Sequence, residues 1–462
     1  MDVIAAISTG SSVCAIGIVR VSGEGCFEVC DRVFRALNGK HLSAQSPRMM
    51  VYGDILDTEG RLLDRGLAVC FPGPHSYTGE DSAEFHCHGS PVVLRELLSA
   101  LFAAGARQAK AGEFTRRAFL NGQLDLTQAE AVIDLIDAET AAAARNAAAQ
   151  LDGGLRRVLE PIQDVLLDIS SRFYAVVDYP DEDIEDIQPE DITRALTSAD
   201  ADLTRLLATC RRGKVLKSGV RTAIAGRPNA GKSSLLNALA GYDRAIVTDI
   251  PGTTRDTVEE SVLCGDTLLR LIDTAGIRDT EDTVEQLGVE RSRAAMESAE
   301  LVLAVVDGSV PVTEADMPFL LSAAKKPRWI LIWSKSDITP ADAFLDFPMP
   351  LSAEYHAPAA VVRLSSVTGA GLDALEQAVS ALFPAEGGMD AGTLLTDRRQ
   401  EEAALRARDA VHRAAQALDA GLTPDAILTD VEDALDALGE LTGRSAKEEI
   451  VSRIFSRFCV GK

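Results

Sequence analysis

The sequence predicts a multidomain α/β protein, and three observations support this fold class. In residues 219–384, short apolar segments alternate with helical ones, which is the pattern of a mainly parallel sheet covered by helices on both faces. Helical composition flanks this region at 121–218 and 385–462, which predicts one helical domain that is discontinuous in sequence. Residues 1–120 mix short apolar segments, turn signals and one helix, so an α+β domain is expected there.

The composition limits the classes of function. The 462 residues carry 46 Lys and Arg against 70 Asp and Glu, a formal net charge of -24. Such a chain does not bind RNA by bulk charge, so any contact with nucleic acid must be local or shared with a partner. No apolar segment approaches the roughly 18 residues of a membrane span, and the start lacks the basic head of a signal peptide. The eight cysteines form no C-x-x-C pair, so a reduced compartment is the default expectation. Since neither a membrane span nor a signal peptide is evident, we expect a cytoplasmic protein with no membrane contact.

The N-terminal region is expected to contain a helix with a serine cap at 90–106 and strands at 15–23, 67–71 and 83–89. Two polar stretches, 76–84 and 111–126, are interpreted as a loop and a solvated helix face in preference to a site. The sequence His86-Cys87-His88 allows a metal site, but a partly buried strand edge is the favoured interpretation.

In the helical region, Thr127 and Glu130 are expected to form a capping box that opens one alanine-rich helix ending at Gly153. Further helices are predicted at about 155–177, 192–212, 396–421, 425–441 and 445–458, the last with an S-x-x-E cap. Because helices join both ends of the insert, a rearrangement within the insert is expected to reach both of them.

The strongest motif opens the inserted domain. Residues 220–236, VRTAIAGRPNAGKSSLL, predict a short strand, a turn of the form G-x-x-x-x-G-K-S and a helix that begins at the lysine. Such a turn directs backbone N–H groups and the positive end of the helix dipole toward a phosphate. Gly226 and Gly231 permit the turn, Lys232 is expected to reach the outer phosphates, and Ser233 to bind magnesium. The strand and helix on either side disfavour a chance glycine-rich loop.

The base is predicted to be guanine. Lys335 and Asp337, in SKSD, follow a strand, and a carboxylate there accepts hydrogen bonds from N1 and the exocyclic amine of guanine, which adenine does not offer. Small GTPases usually have Asn where this chain has Ser334, so somewhat weaker binding without loss of specificity is expected. The loop 365–368 is expected to complete the base pocket.

The hydrolytic machinery is less evident from the residues. Asp273 in DTAG is expected to hold magnesium through water, and Gly276 to donate its N–H to the terminal phosphate. Ras-like enzymes place a water-orienting Gln after this motif, whereas this chain has Ile277. A cation, an arginine from another molecule, or a carboxylate in 279–292 must then substitute for it. Among those carboxylates, Glu285 is a candidate, although a solvated helix start is the simpler interpretation.

Several independent stretches resemble the tRNA modification GTPases of the MnmE or TrmE family. They are GRPNAGKSS, SYTGED, GEFTRRAFLNGQLDLTQAEAVIDLI, TDIPGTTRD, DTAGIRD and the terminal FCVGK. The resemblance covers nearly the whole chain. It implies a tetrahydrofolate-binding-like N-terminal domain that dimerises, a helical domain that carries the terminal cysteine, and an inserted Ras-like P-loop GTPase domain activated by potassium.

The resemblance also implies the residues of the GTPase site. Potassium would be held by Asn229 and Thr253 with the backbone carbonyls of Thr248 and Ile250, in the place of an arginine finger. Magnesium would be bound by Ser233 and Thr254, and Glu285 would orient water. The expected GTP-binding residues are Asn229, Ala230, Gly231, Lys232, Ser233, Ser234, Thr248, Asp249, Ile250, Pro251, Gly252, Thr253, Thr254, Asp273, Thr274, Ala275, Gly276, Ser334, Lys335, Asp337, Ser365, Ser366 and Val367.

For the folate site, the resemblance points to Arg20, Glu84 and Lys462, together with Gln123. Gln123 occupies the position of a usual lysine, and GSSVCAIG (10–17) replaces a G-R-G-G segment of the family. Cys459 matches the family cysteine and is a candidate for modification chemistry. It also fits a prenylation box, which the last two residues suit poorly.

By resemblance, the expected function is that of a homodimeric GTPase that forms a heterotetramer with a flavoprotein, MnmG or GidA. Together they would attach an aminomethyl or carboxymethylaminomethyl group to C5 of the wobble uridine (U34) in certain tRNAs, with 5-formyl- or 5,10-methylene-tetrahydrofolate as donor. One alternative is a GTP-dependent ribosome-assembly or RNA-binding switch without modifying chemistry, although no basic RNA module is evident. Another is a GTPase whose folate site has decayed, as Gln123 suggests.

Overall fold

The structure is a computed structural model that describes residues 2–10, 12–178, 188–242, 260–272, 294–339, 354–384 and 391–461. It contains two compact units. Unit 1 comprises Met1–Ile133, Gln150–Leu203 and Ala403–Lys462, and unit 2 comprises Asp134–Ala149 and Thr204–Glu402. Among the helices within the described ranges, none is both long and apolar enough to cross a membrane.

Unit 1 contains a seven-stranded sheet. Its strands are β1 (Ile4–Ile7), β2 (Ile16–Ser22), β3 (Phe34–Ala36), β4 (Val51–Leu56), β5 (Leu62–Phe71), β6 (Ser82–His88) and β7 (Arg107–Gln108). The order is β3-β4-β5-β6-β2-β1-β7, and the pairs are antiparallel except for β1 with β7. Helices α1 (Cys26–Val33) and α2 (Pro91–Ala103) bury their apolar side chains with the sheet in one core. The α+β class predicted for this region is confirmed.

The helical part of the chain begins with α3 (Glu113–Leu120), α4 (Leu126–Ile136), α5 (Ala141–Leu151), α6 (Gly154–Asp178), α7 (Pro189–Leu207) and α8 (Cys210–Ser218). After the insert follow α12 (Arg398–Asp419), α13 (Pro424–Thr442) and α14 (Glu448–Phe455). Within unit 1, α13 contacts α6 and α14 contacts α3, so helices distant in sequence are neighbours in the structure.

The predicted alanine-rich helix is wrong in two respects. It is two helices, α4 and α5, because Thr140 accepts a hydrogen bond from the backbone N–H of Ala143 and caps a new helix. The capping box of α4 is formed by Asp125 and Gln128, not by Thr127 and Glu130. Gln128 N donates to Asp125 Oδ1 at 2.9 Å, and Asp125 N donates to Gln128 Oε1 at 3.0 Å.

Three other helix predictions need correction. The predicted helix at 192–212 is divided between α7 and α8. The S-x-x-E cap of α14 does not form, because Ser445 donates its hydroxyl to the carbonyl of Asp436 at 2.9 Å and Lys447 occupies the cap position. Ser90 precedes α2 as predicted, but its side chain makes no capping hydrogen bond.

Unit 2 contains a six-stranded sheet. Its strands are β8 (Val220–Ala225), β9 (Glu260–Cys264), β10 (Thr267–Leu271), β11 (Leu301–Asp307), β12 (Trp329–Ser334) and β13 (Ala360–Arg363). The order is β13-β12-β11-β8-β10-β9, and all pairs are parallel except β9 with β10. The mainly parallel sheet predicted for the insert is confirmed.

Both faces of this sheet are buried, which explains why its strands are apolar at consecutive positions. One face packs against α9 (Lys232–Tyr242) and α11 (Leu372–Leu382). The opposite face packs against α10 (Met317–Ala324). Polar side chains are therefore concentrated where the strands end, and this arrangement positions the candidate site.

Candidate functional site

The phosphate-binding turn connects β8 to α9 through residues 226–231. Gly226 has φ 154° and Gly231 has φ 96°, conformations that side chains with a Cβ rarely adopt. A Cβ on Gly226 would also lie 2.3 Å from the carbonyl oxygen of Val305 on the neighbouring strand. Both glycines are therefore required for the close approach of this turn to the sheet. Asn229, at φ 63°, completes the left-handed part of the turn.

Lys232 lies at the first position of α9 with its ammonium group folded toward the turn. Its Nζ donates to the carbonyl oxygens of Gly226 at 2.7 Å and Arg227 at 2.9 Å. Burial lowers the pKa of Lys232 below its ordinary value, because a desolvated ammonium group is less stable. The lysine, the N-terminus of the helix and the turn's backbone N–H groups form a site suited to a polyphosphate anion.

The structure connects the phosphate turn to β12 through Ser334. This side chain is buried, and its Oγ lies 2.6 Å from the carbonyl oxygen of Ala230 and 3.1 Å from that of Val306. The hydroxyl has one proton, so the shorter contact to Ala230 is the stronger candidate for donation. The serine therefore ties the turn to the sheet. Ser233 and Ser234 follow Lys232 in the first turn of α9.

Lys335 and Asp307 form an ion pair beside this connection. Lys335 Nζ lies 2.5 Å from Asp307 Oδ2, and the backbone of Lys335 has φ 57°. Burial alone would raise the pKa of Asp307, but the hydrogen bond from Lys335 holds it below its ordinary value. The pair fixes the turn that carries Asp337, whose side chain is exposed.

The loop after β13 lies next to this turn. Ser336 N donates to the carbonyl oxygen of Leu364 at 3.2 Å, which brings Asp337 and the loop 365–367 to the same edge of the sheet. Ser365 is buried and accepts a hydrogen bond from Thr368 N at 3.2 Å, whereas Val367 is 86% exposed. The predicted base residues Asp337, Ser365, Ser366 and Val367 are therefore neighbours, with their exposed members available to a ligand.

Part of the predicted site lies outside the described residues. The members concerned are Thr248, Asp249, Ile250, Pro251, Gly252, Thr253, Thr254, Asp273, Thr274, Ala275, Gly276 and Glu285, together with Lys462 of the predicted folate site.

In unit 1, Arg20 and Glu84 occupy paired positions on β2 and β6. Arg20 Nε donates to Glu84 Oε1 at 2.9 Å, and His86 Nε2 lies 3.4 Å from Glu84 Oε2. The Arg20 guanidinium also stacks on aromatic rings, 5.2 Å from the centroid of Tyr77 and 5.7 Å from that of Phe114. This pair of predicted residues is thus brought together in an aromatic setting.

The two polar stretches that the sequence favoured as loop and solvated surface are in contact. The Tyr77 hydroxyl lies 2.9 Å from Thr115 Oγ1, and Asn121 Nδ2 donates to the carbonyl oxygen of Thr78 at 2.7 Å. Burial raises the pKa of Tyr77. Gln123 is exposed and lies beside the same loop. The aromatic residues within otherwise polar stretches were the signal that sequence reasoning missed.

The C-terminal segment joins the same part of unit 1. Ala111 and Val460 form an antiparallel bridge, and Gly112 N donates to the carbonyl oxygen of Cys459 at 3.4 Å. Gly461, at φ 100°, is packed so closely that a Cβ would lie 2.2 Å from the carbonyl oxygen of Ile7. The segment therefore ends beside β1 and the start of α3, and the Cys459 side chain is exposed.

Comparisons with known proteins agree over the whole chain. The family model for the MnmE helical domain matches residues 126–459, and the model for the GTP-binding protein TrmE N-terminus matches residues 3–123. The protein named tRNA modification GTPase MnmE from Symbiobacterium thermophilum is 42% identical over 462 residues, which is 100% of this chain and 99% of the relative. The protein of the same name from Roseiflexus sp. (strain RS-1) is 43% identical over 464 residues, with the same coverage. The chain therefore belongs to the MnmE (TrmE) family of tRNA modification GTPases, and its enzymatic class is GTP hydrolase.

Proposed function

We propose that this chain is a potassium-activated GTPase that acts with a flavin-dependent partner, MnmG or GidA. Together they form the 5-aminomethyl or 5-carboxymethylaminomethyl group on the wobble uridine of certain tRNAs, with a folate as one-carbon donor. The observation that carries the proposal is similarity along the full chain to relatives named tRNA modification GTPase MnmE. The phosphate turn and the base loop follow strands of one sheet, which supports the first step of the proposal, the binding of GTP.

In this proposal the phosphate turn binds GTP through backbone N–H groups and the Lys232 ammonium. Asp337 accepts hydrogen bonds from the guanine edge, and residues 365–367 close the base pocket. Ser334 is already bonded to the carbonyl of Ala230, so its role is to hold the turn in place. Loss of the usual Asn contact would weaken nucleotide binding without removing the choice of guanine.

Two ions complete the GTPase site. Ser233 in the first turn of α9 offers a hydroxyl suited to magnesium, and Thr254 is the second proposed ligand. Asn229 offers an amide oxygen from the turn for potassium, with Thr253 and the carbonyls of Thr248 and Ile250. When bound, these ions supply positive charge where the β- and γ-phosphates separate. The Lys232 ammonium group adds a further positive charge at the phosphate turn.

Water activation is assigned to Glu285, since Ile277 cannot hold a water molecule. A carboxylate accepts a proton or a hydrogen bond from the attacking water, a role that an alkyl side chain cannot perform. GTP turnover would open and close a pair of GTPase domains, one from each protomer. The helices at both ends of the inserted domain would transmit this movement. We place the reaction in the cytoplasm.

Folate is proposed to bind in unit 1 beside Arg20 and Glu84. The chemistry of these residues fits a pterin ring, because a carboxylate accepts its paired N–H donors and the half-exposed Tyr77 offers a stacking surface. Gln123 is neutral, so an anionic glutamate tail would depend on Lys462 or other cations. When bound, folate supplies the one-carbon unit.

Cys459 is proposed to take part in the modification chemistry. Its exposed thiol lies on the segment docked beside α3, the helix that carries the aromatic contact to Arg20. Homodimerisation through the N-terminal domain and sharing of the tRNA with the flavoprotein are also proposed. The net charge of -24 agrees with a partner that makes most of the contact with tRNA.

The test is a nucleoside digest of tRNA from cells that lack this gene. Loss of the C5-modified wobble uridine, with return on complementation by the native chain and not by Lys232→Ala, is expected. An unchanged modification would contradict the proposal. Calorimetry with 5-formyltetrahydrofolate tests the donor separately. If the folded protein gives no binding heat, the folate site is contradicted and the GTPase part of the proposal is unaffected.

A further inference from the structure

One arginine of unit 2 contacts three separate elements. Arg270, the fourth of the five residues of β10, directs Nη2 to Glu139 Oε1 at 2.5 Å and Nε to the carbonyl oxygen of Ser218 at 3.3 Å. Its Nη1 donates to the hydroxyl of Ser261. The side chains of Arg270 and Glu139 are 27% and 19% exposed, so this pair is partly shielded from water. A shielded ion pair is screened less by salt than a surface pair.

Arg270 is connected through its partners and its own strand to segments that carry nucleotide-site residues. Ser261 faces Arg270 across the antiparallel β9–β10 pair. Ser218 ends α8, one residue before the turn into β8, the strand that carries the phosphate turn. β10 itself ends at Leu271, two residues before Asp273, the expected magnesium-associated carboxylate. A displacement of β10 would therefore act through the chain on Asp273, the carboxylate expected to hold magnesium through water.

Glu139 lies at the other end of the contact, in the turn 137–140 between α4 and α5. Its Oε1 accepts from Arg270, while its Oε2 is buried and accepts no hydrogen bond within the described part of the chain. The carboxylate thus depends on Arg270 for its compensation. Loss or rearrangement of this one bond would leave a partly buried charge uncompensated, which favours a movement of the turn that exposes the carboxylate to water.

Neighbouring ion pairs connect the helices around the Arg270–Glu139 pair. Lys217 Nζ on α8 lies 2.7 Å from Asp134 Oδ1 on α4 and 3.4 Å from Asp397 Oδ2. Lys214 Nζ lies 2.6 Å from Glu401 Oε2 on α12. These pairs join helical segments to each other, whereas the Arg270–Glu139 pair joins a helical turn to the sheet.

A pocket lies next to this contact. A cavity of about 240 Å³ is lined by Thr140, Val215, Leu216, Leu268 and Phe383, among others. Residues of the helical turn and of β10, the two elements that the Arg270–Glu139 bond joins, both line this pocket.

We propose that the Arg270–Glu139 pair couples GTP turnover to the α4–α5 turn, and that Arg270 is a positioning residue for hydrolysis. Because coupling between two sites is reciprocal, a change at the nucleotide site would shift the α4–α5 turn, and a change at that turn would alter GTP hydrolysis. The inference rests on the GTP hydrolase class of the chain, and it is independent of the proposed potassium, folate and flavoprotein partners.

The test compares Glu139→Gln and Arg270→Lys with a matched control, Glu440→Gln. The control removes a carboxylate that pairs with Arg406 at 2.6 Å within unit 1, whereas Arg270 and Glu139 both belong to unit 2. Glu139→Gln and Arg270→Lys are each expected to lower kcat for GTP about fivefold, with KM within about twofold of native. The double variant is expected to be no slower than the slower single variant, since both changes remove the same contact. The control should retain native kcat.

Hydrogen exchange supplies a readout that a purely structural role would not move. In the native protein, amides of 137–143 are expected to exchange at different rates with GDP and with a non-hydrolysable GTP analogue, and this difference should vanish in Glu139→Gln. A native kcat in Glu139→Gln, or a nucleotide-dependent difference that persists in it, would overturn the inference. Glu139→Gln leaves β10 unchanged, so it decides the matter if Arg270→Lys fails to fold. A native chain that cleaves no GTP would instead contradict the proposed function.

Discussion

Replacement of Ser334 by alanine tests the connection between the phosphate turn and the sheet. The side chain is buried, and its removal deletes a 2.6 Å contact with the carbonyl oxygen of Ala230. A neutral hydrogen bond contributes about 1 kcal/mol, and a buried acceptor left without a donor costs about 1–3 kcal/mol. We therefore expect unit 2 to lose about 2 kcal/mol of unfolding free energy. Because the contact acts on the turn itself, GDP affinity should fall about fivefold, which corresponds to about 1 kcal/mol.

Urea unfolding monitored by tryptophan fluorescence suits this measurement. The chain has two tryptophans, Trp329 and Trp333, and both lie on β12, the strand that ends at Ser334. The signal consequently reports on unit 2. Ser322→Ala is the matched control, since its hydroxyl also donates to a carbonyl, that of Pro318 at 2.7 Å, but is exposed. Equal urea midpoints and equal GDP affinities for the two variants would refute the reasoning.

Three further predictions concern unit 1. Burial alone would raise the pKa of Glu113, but hydrogen bonds from Arg107 and neighbours lower it to about 2. The stability that this carboxylate contributes is thus present above its unfolded value of 4.5 and is lost as pH falls toward 2. After allowance for solvent screening, we expect Glu113 to contribute about 1–2 kcal/mol to the unfolding free energy at neutral pH. Glu113→Gln should lack this contribution, which acid unfolding curves of the two proteins would show. Gly461→Ala should release the C-terminal segment, because a Cβ would meet the Ile7 carbonyl oxygen at 2.2 Å; unchanged resistance to carboxypeptidase would contradict this. Gln123→Lys should tighten 5-formyltetrahydrofolate binding several-fold in calorimetry by adding a cation for its carboxylates, and equal affinity would contradict that assignment.

The features that sequence predicted well are those fixed by neighbouring residues. The phosphate turn is specified within residues 226–233, where glycines, lysine and serine stand between a strand and a helix. The buried strands of unit 2 were recognisable because both faces of the sheet are covered, so consecutive residues are apolar. The family resemblance adds expected roles that the pattern alone leaves open, such as that of Asn229 as a potassium ligand.

Helix boundaries were less predictable because competing caps differ by one or two residues. Asp125 and Thr127 both suit an N-cap, and the actual choice follows from the reciprocal bond between Asp125 and Gln128. The break at 137–140 carries no glycine or proline, so an alanine-rich continuation concealed it. Glu139, which occupies that break, could not be singled out from sequence.

Contacts between distant segments were the least predictable. Tyr77 meets Thr115, and Cys459 lies beside Gly112, at separations that no local periodicity encodes. The role of Ser334 belongs to the same class. Ser334 occupies the position of an Asn that contacts the base in small GTPases, whereas its hydroxyl bonds to the carbonyl oxygen of Ala230 in the phosphate turn, 104 residues earlier in the chain.

We propose that this GTPase employs a monovalent cation and a carboxylate where Ras-like enzymes use a glutamine. The most direct measurement is GTP turnover in potassium and in sodium buffer of equal ionic strength, with Asn229→Ala, Glu285→Ala and ATP as comparisons. We predict turnover about tenfold or more faster in potassium, loss of that advantage in Asn229→Ala, loss of turnover in Glu285→Ala, and no cleavage of ATP. Equal rates in the two salts, or a preference for ATP, would contradict the account.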